Sequence, residues 1–257
     1  MKEIRGLGIA RMRIGRELKT HGLARRKRGP SPPLEALALD FDGTLTMDGG
    51  HPSEELLKSL RALNQGSITL VLATGRCVGD VFERVGRDLF DGVVAENGAV
   101  IVVHGRSTYA APPGWKRVRG SLLRKFEPGC EKVIISAPRS MLSVARNSVS
   151  PKEAHIELNK DRLMIVPLGV DKGSGLATAL SKLGVAENRT ACIGDGENDL
   201  SMFDVVRVRA ALGNSVPSLK RRADFVADGN DGAGTMEAIE WLFDGKRGLT
   251  TGKEAGV

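Results

Sequence analysis

Leu37-Ala38-Leu39-Asp40-Phe41-Asp42-Gly43-Thr44 is the most informative stretch of this chain, because an apolar run of strand length ends there in two carboxylates. Residues i and i+2 of a strand share a face, so Asp40 and Asp42 start out pointing the same way. Two adjacent carboxylates are electrostatically costly unless a cation or a proton lies between them. Mg²⁺ prefers oxygen ligands, and a carboxylate is also a nucleophile toward phosphorus. The stretch therefore predicts a metal-assisted site, and the alternative is an acidic turn after a buried strand.

Three further clusters lie where predicted strands end or predicted helices begin. Leu70–Ala73 is followed by Thr74-Gly75-Arg76, whose hydroxyl and backbone N–H groups suit phosphate oxygens. Lys172 opens a Gly-rich helix and offers a point charge for phosphate. Gly194-Asp195-Gly196-Glu197-Asn198-Asp199 holds two carboxylates four residues apart on a tight turn, which can bring both toward one cation.

Each of these clusters has an ordinary alternative. Thr74-Gly75 is a common turn, Lys172 alone is a solvated charge, and Asp195 and Asp199 could cap a helix. Their joint occurrence favours a site, because ligands of open α/β sheets bind at the carboxyl ends of the strands. Strands and helices alternate from Leu34 onward, which indicates parallel βαβ units. We therefore predict an α/β fold with a Rossmann-like, doubly wound parallel sheet.

The spacing of the clusters locates an insertion. Asp40 and Thr74 are 34 residues apart and Lys172 and Asp195 are 23 apart, whereas 98 residues separate Thr74 from Lys172. The extra length falls at residues 104–168, which we call the inserted segment. Strand patterns at 133–136 and 163–166 predict that it forms a small α/β cap domain. The core then comprises residues 34–103 and 169–245.

The four clusters together resemble the four motifs of the haloacid dehalogenase-like phosphohydrolase superfamily. Glu96-Asn97-Gly98-Ala99 is similar to the branch that carries an α/β cap after the third core strand. Within that branch the chain looks most like the archaeal phosphoglycolate phosphatases, which are related to sucrose-phosphate phosphatases. The resemblance covers about residues 34–245 and implies a phosphatase with Mg²⁺ as its cofactor.

The resemblance also implies catalytic and metal-binding roles. Asp40 is expected to attack phosphorus, and Asp42 to act as general acid and then as general base. Asp40 and Asp195 are expected to bind Mg²⁺ directly. Asp42 would add its backbone carbonyl, and Asp199 would bind directly or through water.

For the substrate, the resemblance implies that Thr74 and Lys172 hold the phosphoryl oxygens and that Asn198 orients the lysine. The choice of substrate is expected to come from the cap. Cations of the inserted segment could meet a substrate carboxylate, but none of them stands out in the sequence: Arg119, Arg124, Arg139, Lys160 and Arg162.

The composition of the 257 residues is typical of a soluble globular protein, with 41% hydrophobic and 27% charged residues. No apolar run approaches the ~20 residues of a membrane-spanning helix. Four scattered histidines argue against a histidine metal site. Cys77, Cys130 and Cys192 are odd in number and lack paired spacing, so we expect reduced thiols in a cytoplasmic protein.

The net charge of +7 is concentrated at the N-terminus, because residues 1–33 carry +8 and the rest of the chain −1. A basic arm of this kind could bind nucleic acid. We favour a disordered extension that ends at Gly29–Pro33, or a translation start assigned too early, because we expect the catalytic body to be complete from Leu34 onward. Residues 246–257 are polar and Gly-rich, and we expect a flexible C-terminus.

The leading hypothesis is the activity that the resemblance implies, a Mg²⁺-dependent phosphatase that converts 2-phosphoglycolate to glycolate and phosphate through a phospho-aspartate. A cap over the site favours a small phosphorylated metabolite as partner, with no membrane partner and nucleic acid disfavoured; a homodimer is left open. The alternatives are a phosphatase for a sugar phosphate, such as sucrose phosphate or mannosyl-phosphoglycerate, and a phosphomutase. A protein that binds nucleic acid through its basic tail is the alternative from another class.

Overall fold

The computed structural model describes residues 33–47, 49–127, 129–159 and 162–243, which form eleven strands and eight α-helices. The expected N-terminal extension, up to residue 32, and the expected flexible C-terminus lie outside the described residues. The strands are β1 (Ala36–Leu39), β2 (Thr69–Ala73), β3 (Gly92–Ala95), β4 (Val100–Val103), β5 (Arg106–Tyr109), β6 (Ile135–Pro138), β7 (Ala154–Asn159), β8 (Arg162–Pro167), β9 (Thr190–Gly194), β10 (Val208–Ala211) and β11 (Phe225–Val226). The helices are α1 (Glu54–Gln65), α2 (Val78–Val85), α3 (Trp115–Leu122), α4 (Leu142–Arg146), α5 (Lys172–Leu183), α6 (Leu200–Val205), α7 (Pro217–Arg222) and α8 (Asp231–Phe243).

Eight of the strands form one large sheet in the order β11-β10-β9-β1-β2-β3-β4-β5. Neighbouring strands from β11 to β3 run parallel, and β1 lies between β2 and β9. The strands β4 and β5 extend the sheet in antiparallel fashion at one edge. The prediction of an α/β, Rossmann-like sheet is confirmed, and the antiparallel edge is an addition to it.

The alternation of β1 builds the two apolar layers that flank the large sheet. Leu37 and Leu39 pack in one layer with residues of α1 and α8, and Ala36 and Ala38 pack in the other with residues of α5 and α6. All four side chains are fully buried. Asp40 follows Ala38 in this alternation, on the side of the sheet that α5 covers. The strand pattern thus directs the first carboxylate toward the helix that begins with Lys172.

The inserted segment contains a second, three-stranded antiparallel sheet in the order β6-β8-β7. Helices α3 and α4 lie against it, and Trp115, Leu122 and Ala145 pack in the same apolar cluster as Leu163 and Ile165 of β8. The structure places β5 in the large sheet, although the sequence assigned residues from 104 onward to the inserted segment. The strand β5 escaped notice because it is a mostly exposed edge strand without an apolar run.

A disulfide joins the core to the inserted segment, and it corrects the expectation of three reduced thiols. Cys77, which precedes α2, is bonded to Cys130 with their Cα atoms 6.0 Å apart. Only Cys192 is a free and buried thiol among the described residues. The pairing was missed because 53 residues separate the two partners, and only the fold brings them together.

The longest helix, α8, has 13 residues. Across the described residues, no helix combines the length and the apolar character needed to cross a bilayer.

Candidate active site

Polar side chains meet at the carboxyl edge of the large sheet. Asp40 comes directly after β1, and Thr74 comes directly after β2. In the same way, Glu96 follows β3 and Asp195 follows β9. The register places Leu39 of β1 level with residues 72 and 193 of its two parallel neighbours, so these strands end at the same height. This is the edge at which α/β sheets of this kind bind their ligands.

Lys172 lies at the centre of the cluster. Its Nζ atom donates hydrogen bonds of 2.6 Å to Asp40 Oδ1 and 2.7 Å to Asp199 Oδ1. All three side chains are buried, with Lys172 only 1% exposed. Asp171 fixes the start of α5, because its side chain accepts from the backbone N–H of Ser174 at 2.7 Å and a capping box forms. The helix start therefore delivers one cation between two carboxylates.

The turn after β9 orients Asp199. Its Oδ2 atom accepts from the backbone N–H groups of Asp195 and Gly196, both at 2.9 Å, which leaves Oδ1 for the lysine. A Cβ atom at position 194 would lie 2.6 Å from Asp199 Oδ2, so Gly194 is needed for this close approach.

Asp195 is held by two residues that the predicted site did not include. Thr44 Oγ1 donates to Asp195 Oδ1 at 3.3 Å, and Asn214 Nδ2 donates to Asp195 Oδ2 at 3.2 Å. Asn214 also donates to the carbonyl of Gly43 at 2.7 Å. Gly43 has a positive φ of 87°, and a Cβ atom there would lie 2.2 Å from Asp195 Oδ2. Thr44 belongs to the Asp-Gly-Thr motif, and Asn214 to the Gly-Asn-Ser turn after β10, so sequence signals existed for both.

Burial, together with the crowding of carboxylates, shifts the pKa values of the cluster. Burial, reinforced by the charge of Asp199, raises the pKa of Asp40 well above its usual range. The same two causes, in the same order, raise the pKa of Asp195 to about 6. Burial alone would lower the pKa of Lys172, but the carboxylates of Asp199 and Asp40 outweigh it and the pKa is raised. One ammonium therefore does not balance the three carboxylates.

The same carboxylates fit a divalent cation. Asp40, Asp195 and Asp199 each offer one oxygen atom, and these atoms lie within 4.8 Å of one another. A set of ligands made only of oxygen suits a hard cation such as Mg²⁺. Bound there, a divalent ion would supply the positive charge that the raised pKa values of Asp40 and Asp195 show to be lacking.

The carboxylate of Asp42 is not one of these three and is paired with Arg76. The guanidinium holds both carboxylate oxygens, with Nε 2.7 Å from Oδ2 and Nη2 2.6 Å from Oδ1. The side chain of Asp42 is thus separate from the three carboxylates that could hold a cation. Arg76 was quoted as part of a motif in the sequence, but it was not among the predicted site residues.

Thr74 and Asn198, which were predicted to serve substrate binding, have different hydrogen-bond partners. Thr74 is fully buried, and its hydroxyl accepts from the backbone N–H of Arg76 at 3.2 Å. Asn198 Nδ2 donates to Asn97 Oδ1 at 3.4 Å. The expectation that Asn198 orients Lys172 is not supported, because the hydrogen bonds described for the ammonium go to two carboxylates. The sequence could not show which partner the Asn198 amide takes, because Asn198, Lys172 and Asn97 lie in separate segments of the chain.

Glu96 fastens the inserted segment to the edge of the large sheet. The buried Glu96 carboxylate accepts from three consecutive backbone N–H groups of residues 132–134, at 2.8, 2.8 and 3.2 Å. Beside it, Asn97 Nδ2 donates to Glu157 Oε2 at 2.6 Å and lies 3.2 Å from the sulfur of Met164. Since Asn97 also contacts Asn198, it links the small sheet to the turn that carries Asp199.

Comparison with known proteins places this geometry in a family. The model of the haloacid dehalogenase-like hydrolases matches residues 37–113 and 131–239, which is more than half of the chain. A phosphoglycolate phosphatase of Archaeoglobus fulgidus is 30% identical over 224 residues, covering 81% of this chain and 96% of its own. One from Sulfurisphaera tokodaii is 28% identical over 212 residues, covering 80% and 92%.

Among solved structures, Thermoplasma acidophilum 0175 superposes with a TM-score of 0.69 at 18% identity. The match covers 81% of this chain and 99% of that one, and it supports the fold. The strand-end carboxylates, the buried lysine and the family match agree, and the chain belongs to the haloacid dehalogenase-like hydrolase family.

Proposed function

We propose that this protein is a Mg²⁺-dependent phosphatase that hydrolyses 2-phosphoglycolate to glycolate and phosphate through a phospho-aspartate on Asp40. The observation that carries the proposal is the buried cluster in which Lys172 lies between Asp40 and Asp199, with Asp195 beside them. Phosphate-ester hydrolysis needs charge neutralisation and positioning above all. A preorganised cluster of one cation and three carboxylates, suited to a divalent ion, offers both.

Asp40 is the proposed nucleophile. One of its carboxylate oxygens forms a bond to phosphorus while the ester P–O bond breaks, and the departing oxygen takes a proton from Asp42. A water molecule then attacks the phospho-aspartate, gives a proton to Asp42 and restores the carboxylate of Asp40 as phosphate leaves. Asp42 is available for both transfers because its side chain is separate from the three-carboxylate group.

Thr74 and Lys172 are the proposed ligands of the transferring phosphoryl group. Lys172 is buried and charged, so it can neutralise a phosphoryl oxygen in a site with little water. Mg²⁺, held by Asp40, Asp195 and Asp199 and by the backbone carbonyl of Asp42, would draw negative charge from the phosphoryl oxygens.

The inserted segment is the proposed cap. The small sheet turns one face toward the core, since Glu157 and Met164 lie on adjacent strands level with each other and both contact Asn97. On β6, the other neighbour of β8, Ser136 is level with Met164. Arg162 Nε donates to Ser136 Oγ at 2.8 Å. A positive side chain on the core-facing surface suits a small substrate with a second negative group.

We assign no substrate contact to the other cations of the inserted segment. Arg119 donates to the backbone carbonyls of residues 131 and 134, so it serves the structure of the inserted segment. Lys160 lies outside the described residues.

The choice of 2-phosphoglycolate is supported by relatives that bear that name at 28–30% identity and by the cation at Arg162. A phosphatase for a sugar phosphate, of the sucrose-phosphate or mannosyl-phosphoglycerate kind, is the nearest alternative, because the core chemistry would be the same. A small phosphorylated metabolite as partner, a cytoplasmic location and a homodimer stay predictions.

The substrate is tested by phosphate release from 2-phosphoglycolate, from sucrose phosphate and other sugar phosphates, and from nucleotides, each with Mg²⁺. We expect the highest kcat/KM with 2-phosphoglycolate. Equal values across the panel would retain the phosphatase and reject the substrate. Transfer of phosphate within a sugar, without release, would identify a phosphomutase instead.

Nucleic-acid binding through the basic N-terminal residues is the alternative from another class, and we disfavour it. If they act in this way, the full chain should retard DNA or RNA in a salt-sensitive manner, and removal of residues 1–33 should abolish the shift. We expect no such shift at physiological salt and unchanged phosphatase activity after the removal.

A further inference from the structure

Arg76 forms a bidentate pair with the carboxylate of Asp42. Its Nε and Nη2 atoms donate to the two different oxygens at 2.7 and 2.6 Å, and both side chains are 22% exposed. A bidentate guanidinium pair fixes direction as well as distance. The rotation of the Asp42 carboxylate is therefore set by Arg76.

Other contacts also hold the guanidinium of Arg76 in place. Nη1 donates to Asp80 in the first turn of α2, and Cζ lies 5.1 Å from the centroid of the Phe41 ring. Gly49 leaves the space for it, because a Cβ atom at that position would lie 2.0 Å from Nη2. Gly49 also has a positive φ of 68°, which favours glycine. Two loops and a helix thus converge to place one side chain against Asp42.

Arg84, on α2, pairs with the same Asp80, and its described contacts do not include Asp42. Its Nη1 atom lies 2.7 Å from Asp80 Oδ1, and its Nε donates to the carbonyl of Gly49 at 2.7 Å. Arg76, Asp80 and Arg84 follow one another at intervals of four residues, so Asp80 bridges two arginines. Arg84 thus shares Asp80 and Gly49 with Arg76.

We propose that Arg76 is a positioning residue that holds the Asp42 carboxyl in the orientation needed for proton transfer to the leaving group. The inference rests on the proposed function, in which Asp42 is the general acid and base. Arg76 does not donate the proton itself, because a guanidinium stays protonated in proteins. In each cycle Asp42 gives its proton to the ester oxygen and regains one from water, while the guanidinium keeps all of its own.

The test uses the leaving group. An alkyl ester such as 2-phosphoglycolate needs protonation of its departing oxygen, whereas p-nitrophenyl phosphate has a leaving group that departs as an anion. The ratio kcat/KM reports the steps up to departure and is not affected by later hydrolysis of the phospho-aspartate. We expect Arg76→Met to lower kcat/KM for 2-phosphoglycolate on the order of 100-fold and to leave the aryl ester within about threefold.

Arg84→Met is the matched control, because it also removes a guanidinium that is paired with Asp80. It should keep the wild-type ratio of the two kcat/KM values. Arg76→Lys keeps the charge without the fork, so it should give an intermediate loss on the alkyl ester. This second variant decides the question if Arg76→Met does not fold.

A double-mutant cycle with Asp42→Asn shows whether Arg76 acts through Asp42. In that background, Arg76→Met should cause no further loss on 2-phosphoglycolate. Equal losses on both esters, or losses that add in the double variant, would overturn the inference while leaving the phosphatase intact. A wild-type protein that hydrolyses neither ester would instead refute the proposed function.

Discussion

Lys172 Nζ lies 2.6 Å from Asp40 Oδ1, although the two residues are 132 positions apart in the chain. The contact joins the end of the central strand β1 to the first residue of α5. The pair is buried, and the same ammonium also donates to Asp199, which comes from the turn after β9. Three separate segments thus depend on one ammonium group, and several consequences of this arrangement can be measured.

Replacing Lys172 by Met should destabilise the protein as well as inactivate it. The change leaves Asp40 and Asp199 buried without their cation, which costs about 3–5 kcal/mol when one partner of a buried pair is removed. We expect this loss in the free energy of unfolding, measured with urea near pH 7 in the presence of EDTA. Lys182→Met, at the exposed end of the same helix, is the control. Equal losses for the two variants would contradict the buried pair.

Stabilisation by Mg²⁺ should be larger at higher pH. The folded-state pKa of Asp195 is raised from 3.8 to about 6, so the folded protein binds this proton more tightly than the unfolded chain does. Without a divalent ion, this group therefore lowers stability as the pH rises from about 4 to 6. Mg²⁺ competes with the proton and stabilises the charged form, and its effect should be largest above that range.

Thermal unfolding near pH 5 and near pH 7.5 measures this dependence. We expect Mg²⁺ to raise Tm more at the higher pH, and Asp195→Asn to abolish most of the increase. An equal rise of Tm at both pH values would show that the ion does not bind at these carboxylates.

The Cys77–Cys130 disulfide should contribute strongly to stability. It closes a loop of 53 residues between the core and the inserted segment, which corresponds to about 4 kcal/mol in the chain-entropy model. Cys130→Ser should lower the free energy of unfolding by roughly that amount, and a dithiol reductant should bring the wild type to the same value. If the reductant leaves the difference between variant and wild type unchanged, the loss comes from packing rather than from the bond.

Arg162 should select for the carboxylate of the substrate. A hydrogen bond between charged groups is worth about 1.5–3 kcal/mol, so Arg162→Gln should raise the KM for 2-phosphoglycolate on the order of 10- to 100-fold. Ethyl phosphate, which lacks the carboxylate, should keep its KM. Arg146→Gln, on α4 at the other side of the small sheet, serves as the control. The same change of KM for both esters would exclude a role in specificity.

The sequence predicted the parts of the site that follow from strands and their ends. Asp40, Thr74 and Asp195 each come directly after an apolar strand, and parallel strands must end at one edge. Lys172 followed from a Gly-rich helix start. The α/β class was predictable for the same reason, since the alternation of apolar strands and helices is local in the chain.

The features that were missed depend on contacts between distant segments. The partner of Cys77 is 53 residues away in the chain, and Asn214 reaches Asp195 from the turn after another strand. The side chain of Asn198 turns to Asn97 instead of Lys172, a choice that only packing decides. The edge strand β5 lacks the apolar run by which buried strands are recognised.

The central claim is that Asp40 is the nucleophile of a Mg²⁺-dependent phosphatase. The most direct measurement is phosphate release from 2-phosphoglycolate by the wild type and by Asp40→Asn, each with Mg²⁺ and with EDTA. Circular dichroism of the variant would establish that it is folded. We predict turnover only for the wild type with Mg²⁺. Substantial turnover by Asp40→Asn, or by the wild type in EDTA, would contradict the account.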